Sequence, residues 1–506
     1  MSELNSVLDA ICQWERETAL LESTQATLEW DERTGMPSQA GSYRAEQITY
    51  LSGLIHRRRT DAAHSDRIET LVQIASSEPE HSDIAVTARY LKRNLVRRQK
   101  LPLELVQATT KAIVLGQQAW SQARKTRNFE HFLPNLYSIV QLKREEAHLL
   151  AIDGSAYNGL LDEYEEGARE ADLTVLFADL RQQLVPLVAE ASEATRRRGT
   201  IFRQPSLPIS SQRSFNRMVA EQVGFSFESG RLDETDHPFC TTLGPHDCRI
   251  LTRYFEQDLL SSLFSTLHEA GHGMYEQGLP AEQFGLPLGS YASLGIHESQ
   301  SRLWENAVGR SFPFWKWCWP LLQKYFPGCF EQGSAETIYR YTNAVAPSLI
   351  RVESDEATYN LHIAIRFGLE RELISGELSP ADLPDAWQKA YRDYLGITPS
   401  HHAEGCLQDV HWSAGLFGYF PTYTLGNLIA AQWMETIERS VGDLSELHSQ
   451  GDFRELLRWL RSNIHRHGKR YSPKQLVESV TGNTLTAIPF LNYLRQKLQD
   501  TSLLSP

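Results

Sequence analysis

Two histidines four residues apart, His268 and His272, enclose Glu269 in the run LLSSLFSTLHEAGHGMYEQG. Residues at i and i+4 project from one face of an α-helix, one turn apart. That is the placement two imidazoles need to share one tetrahedral ion. Glu269 then stands beside the ion and can take a proton from an attacking water. A bare HExxH arises by chance in many chains, and a lone histidine is more often a hydrogen-bonded core residue than a ligand. Here, however, Leu260, Leu263, Phe264, Leu267 and Met274 recur at helical spacing around the motif. Burying two imidazoles and a carboxylate on such a helix without an ion would be costly.

A hydrolytic zinc site keeps three protein ligands and one open position. The third ligand is not a histidine six residues after His272, because that position is Gly278. The candidate is Glu298, 26 residues beyond His272, in the helical segment IHESQSRLWEN. His297 is its rival, but neighbouring helix positions point about 100° apart, so only one of the two can face the ion. Glu305 and Asn306 lie two turns further on and could hydrogen-bond to the metal histidines.

These residues need a scaffold, and helical periodicity dominates the chain. Residues 1–25, 41–58, 83–98, 103–125, 135–152 and 172–198 read as amphipathic helices with charged outer faces. The run GTIFRQPSLPIS at 199–210 reads as a loop and marks a boundary. It divides an N-terminal helical lobe, 1–198, from a catalytic lobe, 199–506. Between about 225 and 256 the pattern becomes turn-punctuated and rich in Thr, Phe and Leu, which predicts two or three short strands. Helices resume near 257. Ser472-Pro473-Lys474-Gln475 predicts a helix start, with Ser472 as N-cap and Gln475 reaching back. Trp315, Trp317 and Trp319 alternate within 312–330 and suit either core packing or a subunit interface.

The bulk properties exclude several classes. The 506 residues carry 50 Lys plus Arg against 63 Asp plus Glu, a formal charge of −13. So acidic a chain does not invite nucleic acid, whose backbone needs basic patches. The first twenty residues hold four acids and no basic stretch before an apolar run, unlike a signal peptide. No apolar stretch approaches the roughly 18 residues of a membrane span. The six cysteines, Cys12, Cys240, Cys248, Cys318, Cys329 and Cys406, are scattered without a CxxC pair. They read as reduced thiols of a cytoplasmic protein rather than as a peptidase nucleophile.

Longer motifs add a resemblance. Trp30-Asp31-Glu32-Arg33-Thr34-Gly35-Met36-Pro37, then Gly230-Arg231-Leu232-Asp233 with His237-Pro238-Phe239, precede the metal helix. HES-x-SR-x-WEN occupies 297–306 and GxxQDxHW occupies 405–412. Over nearly its whole length the chain resembles the Taq-type thermostable carboxypeptidases, zinc enzymes with HExxH plus a glutamate. Two motifs depart. DxRxT reads Asp247-Cys248-Arg249-Ile250-Leu251, and IRxxAD reads Ile350-Arg351-Val352-Glu353-Ser354-Asp355; both keep the charged positions.

The resemblance implies a mainly α, two-lobed, groove-shaped metallopeptidase with a small antiparallel β-sheet near the active site. It implies a homodimer that releases residues from free peptide C-termini with broad specificity. Zn2+ is the expected metal, and Co2+ can replace it. His268, His272 and Glu298 would hold the ion, with Glu269 as base. In related groove-shaped peptidases a Tyr downstream of a His supports the oxyanion. Here His411 is followed by Tyr419 and Tyr423, of which Tyr423 is the first choice. Arg351 is the candidate grip on the substrate carboxylate, because guanidinium binds carboxylate through two parallel hydrogen bonds. A salt bridge to Glu353 or Asp355 is its plainer explanation, and Arg249 is the weaker alternative grip. His237 and Gln408 would line the groove. A metal-dependent oligoendopeptidase and a silent scaffold are the competing readings. The intact Glu269 and ligand set speak against the scaffold, and Arg351 favours the exopeptidase.

Overall fold

The amphipathic runs are helices in the computed structural model, which describes residues 3–199 and 202–504. The six expected N-terminal helices are Glu3–Thr34, Gly41–Arg59, Asp83–Lys100, Leu103–Thr126, Leu133–Leu149 and Glu170–Arg198. Among the described residues there are twenty α-helices and one three-stranded sheet, so the fold is mainly α. None of these helices is long and apolar enough to cross a membrane. At Ser472 the capping box forms as expected, with Gln475 N–H donating to the Ser472 hydroxyl and Ser472 N–H donating to Gln475 Oε1.

The three short strands are β1 (Gly230–Glu234), β2 (Cys240–Gly244) and β3 (Asp247–Thr252). The expected antiparallel sheet is in fact mixed. Its order is β1-β3-β2, with β1 parallel to β3 and β2 antiparallel to β3. A tight turn at Pro245-His246, with His246 at φ 64°, folds β3 back along β2. β2 runs opposite to β1 and β3 turns back on β2, so β3, lying between them, runs the same way as β1.

The contacts divide the chain into two compact units, and not at the expected place. One unit comprises Met1–Val96, Phe202–Tyr339 and Trp433–Thr484; the other comprises Arg97–Ile201, Arg340–Gln432 and Leu485–Pro506. The division into 1–198 and 199–506 is therefore corrected. The break at 199–210 does mark a passage between units, although its residues 200 and 201 lie outside the described residues. What composition could not show is that the first helices belong to the same compact unit as the metal helix. Within the first unit Ile11, Ile68, Leu71, Ala75, Ala88, Leu91 and Leu95 form one apolar cluster from three helices. The tryptophans at 315 and 319 are core residues of the same unit. Trp315 packs edge-on to Phe264, Trp319 to Phe330, and the half-buried Trp317 to Phe453.

The metal helix, Leu259–Glu276, starts at Asp258, whose carboxylate accepts from Ser261 N–H at 3.0 Å. Its neighbour, Leu294–Arg302, starts at Ser293, whose hydroxyl accepts from Ile296 N–H at 3.1 Å. Leu260, Leu263, Phe264, Leu267 and Met274 are buried as their spacing predicts. Two glycines let neighbours come close, backbone at Gly271 and side chains at Gly273. A Cβ on Gly271 would lie 2.6 Å from Gln300 O and 2.7 Å from Ser301 Cα. A Cβ on Gly273 would lie 2.6 Å from the Phe225 ring and 3.0 Å from Ile250 of β3. The neighbour at Gly271 is main chain, so no rotamer change can make room. Gly271→Ala is expected to lower stability by about 1–3 kcal/mol through overpacking. It should also weaken metal binding by moving Glu298. Denaturant unfolding of the metal-free chain and a metal titration measure the two effects; a variant unchanged in both removes this contact as a constraint.

Candidate metal centre

The structure brings together the three expected ligands. Glu298 Oε2 lies 3.7 Å from His268 Nε2 and 3.5 Å from His272 Nε2. All three donor atoms fall within 4.8 Å of one another. A tetrahedral ion with Zn–N and Zn–O bonds of about 2.0–2.2 Å sets its ligand atoms roughly 3.3–3.5 Å apart, close to the spacing of Glu298 Oε2 from each imidazole. The side chains of His268 and His272 stay 20% and 13% exposed, which leaves one side of the cluster open. A catalytic ion requires such an opening. The residues present therefore fit a hydrolytic divalent metal.

Hydrogen bonds fix the orientation of the donors. His268 Nδ1 is 2.9 Å from Glu305 Oε2, so its proton sits on Nδ1 and its Nε2 lone pair is free for an ion. Glu298 spends its other oxygen on Arg302, whose Nε donates to Oε1 at 2.7 Å. Ser301 Oγ donates to the ligand oxygen itself at 3.0 Å. A turn of π-helix, Leu303–Val308, follows directly and carries Glu305. Arg302 and Arg310 both donate to Glu305, at 3.2 and 3.4 Å. Asn306 Oδ1 accepts from Arg310 Nε at 3.0 Å, so this pair braces Arg310. The rival His297 turns away to Glu276, with Nε2 2.9 Å from Oε1.

The electrostatics suit the roles. Burial opposes ionisation of Glu298, but Arg302, His268 and His272 reverse it and hold the carboxyl well below its usual range. Glu305 is held at about 2 by Arg302 and its bond to His268, against the cost of burial. Burial lowers His272 to about 3, so the ring is neutral and its lone pair available. Burial also opposes charge on His268, yet Glu298, the bond to Glu305 and Glu269 together raise its pKa. Glu269 goes the other way: burial lifts its carboxyl to about 7, only partly offset by His268.

Of the other expected site residues, Arg351, Gln408, His411, Tyr419 and Tyr423 fall in the second unit, while Arg249 on β3 and His237, exposed on the β1–β2 loop, belong to the first. Arg351 is 5% exposed. Its Nε and Nη2 donate to Asp409 Oδ1 at 2.9 and 2.8 Å, and Nη1 donates to Tyr359 Oη at 3.0 Å. Its partner is thus neither Glu353 nor Asp355; Asp355 caps the helix Glu356–Ser375. Arg366 Nε donates to the other oxygen of Asp409 at 2.7 Å. Both guanidiniums hold Asp409 well below the usual carboxylate range despite burial. Gln408 is corrected as a groove-lining residue. Its Oε1 accepts from Arg351 N–H and Arg366 Nη2, and its Nε2 donates to Leu349 O and Glu404 O. His411 Nε2 is 3.2 Å from Tyr423 Oη, and the Tyr419 ring packs 5.3 Å from the His411 ring. Burial lowers His411 to about 3, with Asp409 opposing. Arg249 is likewise committed, donating twice to Asp247 at 2.9 Å with its guanidinium 4.1 Å from the Trp30 ring.

Two functional neighbours escaped the sequence reading. Arg302 stands four residues after Glu298, an ordinary helix ion-pair spacing that could have disclosed it. Arg366 carries no such signal, since its partner lies 43 residues away.

Comparison with known proteins decides the family. A family model described as Carboxypeptidase Taq (M32) metallopeptidase matches residues 10–498. The chain belongs to this family. It is 43% identical over 496 residues to thermostable carboxypeptidase 1 of Thermus thermophilus, covering 96% of this chain and 97% of that one. It is 36% identical over 485 residues to carboxypeptidase 1 of Bacillus subtilis, with 95% of each covered. The M32 carboxypeptidase crystal structure from Deinococcus radiodurans R1 superposes with a TM-score of 0.93 at 37% identity, covering 99% of this chain and 100% of that one. As an M32 member the chain is a metal-dependent hydrolase of peptide C-termini.

The two-arginine grip on Asp409 makes a sharp stability test. Asp409→Ala leaves two buried guanidiniums unpaired, which is expected to cost about 3–5 kcal/mol. Thermal unfolding of the metal-free chain measures it, and a loss below about 1 kcal/mol would show that the pairing is incidental.

Proposed function

We propose that this M32 carboxypeptidase holds zinc on His268, His272 and Glu298 and uses Glu269 as its general base. The observation that carries the reading is the position of Glu298 Oε2, 3.7 and 3.5 Å from the two imidazole nitrogens. Bound zinc, or cobalt in its place, supplies Lewis acidity that makes water a nucleophile near neutral pH and polarises the scissile carbonyl. Glu269 takes the proton of the attacking water and returns it to the leaving amine. Tyr423 is the proposed donor to the developing oxyanion, with Tyr419 second. Its hydroxyl lies 3.2 Å from His411 Nε2, a contact that orients it. One such donor is worth roughly 3 kcal/mol in the transition state.

Arg351 is the proposed grip on the free C-terminal carboxylate of a peptide. Three of its N–H groups are committed to Asp409 and Tyr359. Guanidinium carries five, so one remains on each terminal nitrogen, enough for a fork. Asp409 then acts by holding that fork in place. Six free cysteines support a reducing compartment, the cytoplasm. A homodimer is supported by the helix Gly41–Arg59, which buries none of its residues within the chain and exposes Tyr43 and Tyr50.

Chelation is expected to abolish peptidase activity, and zinc or cobalt to restore it. Glu269→Gln should keep the metal and lose nearly all turnover, because the amide cannot accept the proton. Elemental analysis with steady-state kinetics separates the two; a fully active metal-free chain, or normal turnover by Glu269→Gln, would reject the assignment.

The grip on the carboxylate is tested with two enzymes and two peptides. Amidating the peptide C-terminus should lower wild-type kcat/KM by about one to two powers of ten, the value of a charge-assisted pair. Arg351→Lys keeps a cation near Asp409 but loses the fork, so amidation should hurt it much less. Mass spectrometry should find residues lost singly from the free C-terminus. Internal cleavage of the amidated peptide at the wild-type rate would favour an oligoendopeptidase instead, and equal amide penalties would clear Arg351 of the role.

A further inference from the structure

The two ligand histidines are oriented by different means. His268 is fixed through its Nδ1 by Glu305 at 2.9 Å. His272 Nδ1 is buried and has no hydrogen-bond partner among the described residues. What faces His272 instead is the ring of His297, stacked at 4.3 Å between centroids and 18° between planes. His297 is held in turn. Its Nε2 is 2.9 Å from Glu276 Oε1, and the Tyr291 and Tyr275 rings lie 4.7 and 5.6 Å away. The other oxygen of Glu276 accepts from Thr242 Oγ1 of β2 at 3.0 Å.

From this geometry we infer that His297 is a positioning residue for the metal, acting through the face of its ring on His272, with Glu276 and Thr242 as its brace. The inference rests on the metal reading above. An imidazole ligand keeps one soft torsion, about its Cβ–Cγ bond, and turning it swings Nε2 off the ion. A hydrogen bond on the far nitrogen usually blocks that rotation. His272 lacks one, and a flat ring at van der Waals distance blocks the same rotation by sterics and dispersion. His297 therefore serves by shape, and its own hydrogen bond serves to hold that shape in place. The strand β2 is thereby connected to the metal through three side chains.

The test measures the zinc dissociation constant of the whole chain by competition with a coloured chelator, and the visible spectrum of the Co2+ form. His297→Ala should weaken zinc binding roughly 10–100-fold, as loss of an orienting group does, and should alter the cobalt bands. His297→Phe keeps a flat ring and should stay close to wild type. Glu276→Ala frees His297 and should fall between, and Glu276→Gln, which still offers an acceptor oxygen, should recover most of the loss. Circular dichroism of the metal-free variants reports folding. If His297→Ala does not fold, the Phe and Glu276 variants decide alone. Zinc affinity and cobalt spectra unchanged in folded His297→Ala, with Glu305→Ala clearly weakened, would overturn the inference. So would a His297→Phe variant as weak as His297→Ala, or Glu276→Ala binding zinc as wild type does. A wild-type chain that binds no zinc would instead reject the metal reading itself.

Discussion

The metal centre depends on one approach of backbone to backbone, at Gly271, closer than any side chain would permit. Gly271 and Gly273 alternate with His272 on the metal helix, and each lacks the Cβ that would collide with a neighbour. Gly271 brings the backbone of the helix Leu294–Arg302 against the metal helix, and Gly273 makes room for the Phe225 ring and the Ile250 side chain of β3. Glycine in a helix interior costs about 1 kcal/mol relative to alanine, so the sequence accepts a locally weaker helix here. In return a glutamate side chain, short as it is, reaches both imidazoles from the next helix. The apolar surround of Leu263, Leu267 and Met274 supplies the burial that keeps the helix in place.

Once these elements meet, charge has to be balanced out of water. Glu269, Glu298 and Glu305 face Arg302 and Arg310 around the metal cluster. Buried charges are tolerated only when paired and hydrogen-bonded. Arg302 serves two carboxylates at once, and so keeps Glu298 ionised while leaving one of its oxygens free for an ion. The second unit solves the same problem with the signs reversed. There a single carboxylate, Asp409, sits between two guanidiniums, and Gln408 accepts from Arg366 Nη2 and from the Arg351 backbone N–H. Two family motifs that read as separate signatures, IRxxSD and QDxHW, are thus two halves of one hydrogen-bonded cluster.

The chemistry was more legible than the architecture, and for a physical reason. His268, Glu269 and His272 share one helical turn, so spacing alone places them. Helical spacing narrows the third ligand to one of His297 and Glu298, and the structure decides between them, because His297 turns to Glu276 while Glu298 faces both imidazoles. Glu305 lies two turns from Glu298, again a matter of period. By contrast, the pairing of Arg351 with Asp409 spans 58 residues, and no local period reports on it. Gln408 looked like a groove residue because amides are often surface groups; only the tertiary structure shows all its polar atoms engaged. The strands were visible from composition, but the parallel pairing of β1 with β3 depends on a third strand entering between them. The division into units was misread because a loop marks where a helix ends and says nothing about which core the next helix joins.

That interleaving bears on how the protein is made. The unit that holds all three metal ligands draws its last segment from Trp433–Thr484. A chain leaving the ribosome has therefore exposed His268, His272 and Glu298 long before their core can close. Domains ordinarily fold as each emerges, N-terminal first. Here that order is unavailable, and the second unit likewise waits for Leu485–Pro506. The unit that carries the metal ligands is complete only once Trp433–Thr484 has been made, and until then two imidazoles and a carboxylate are open to whichever cation arrives first.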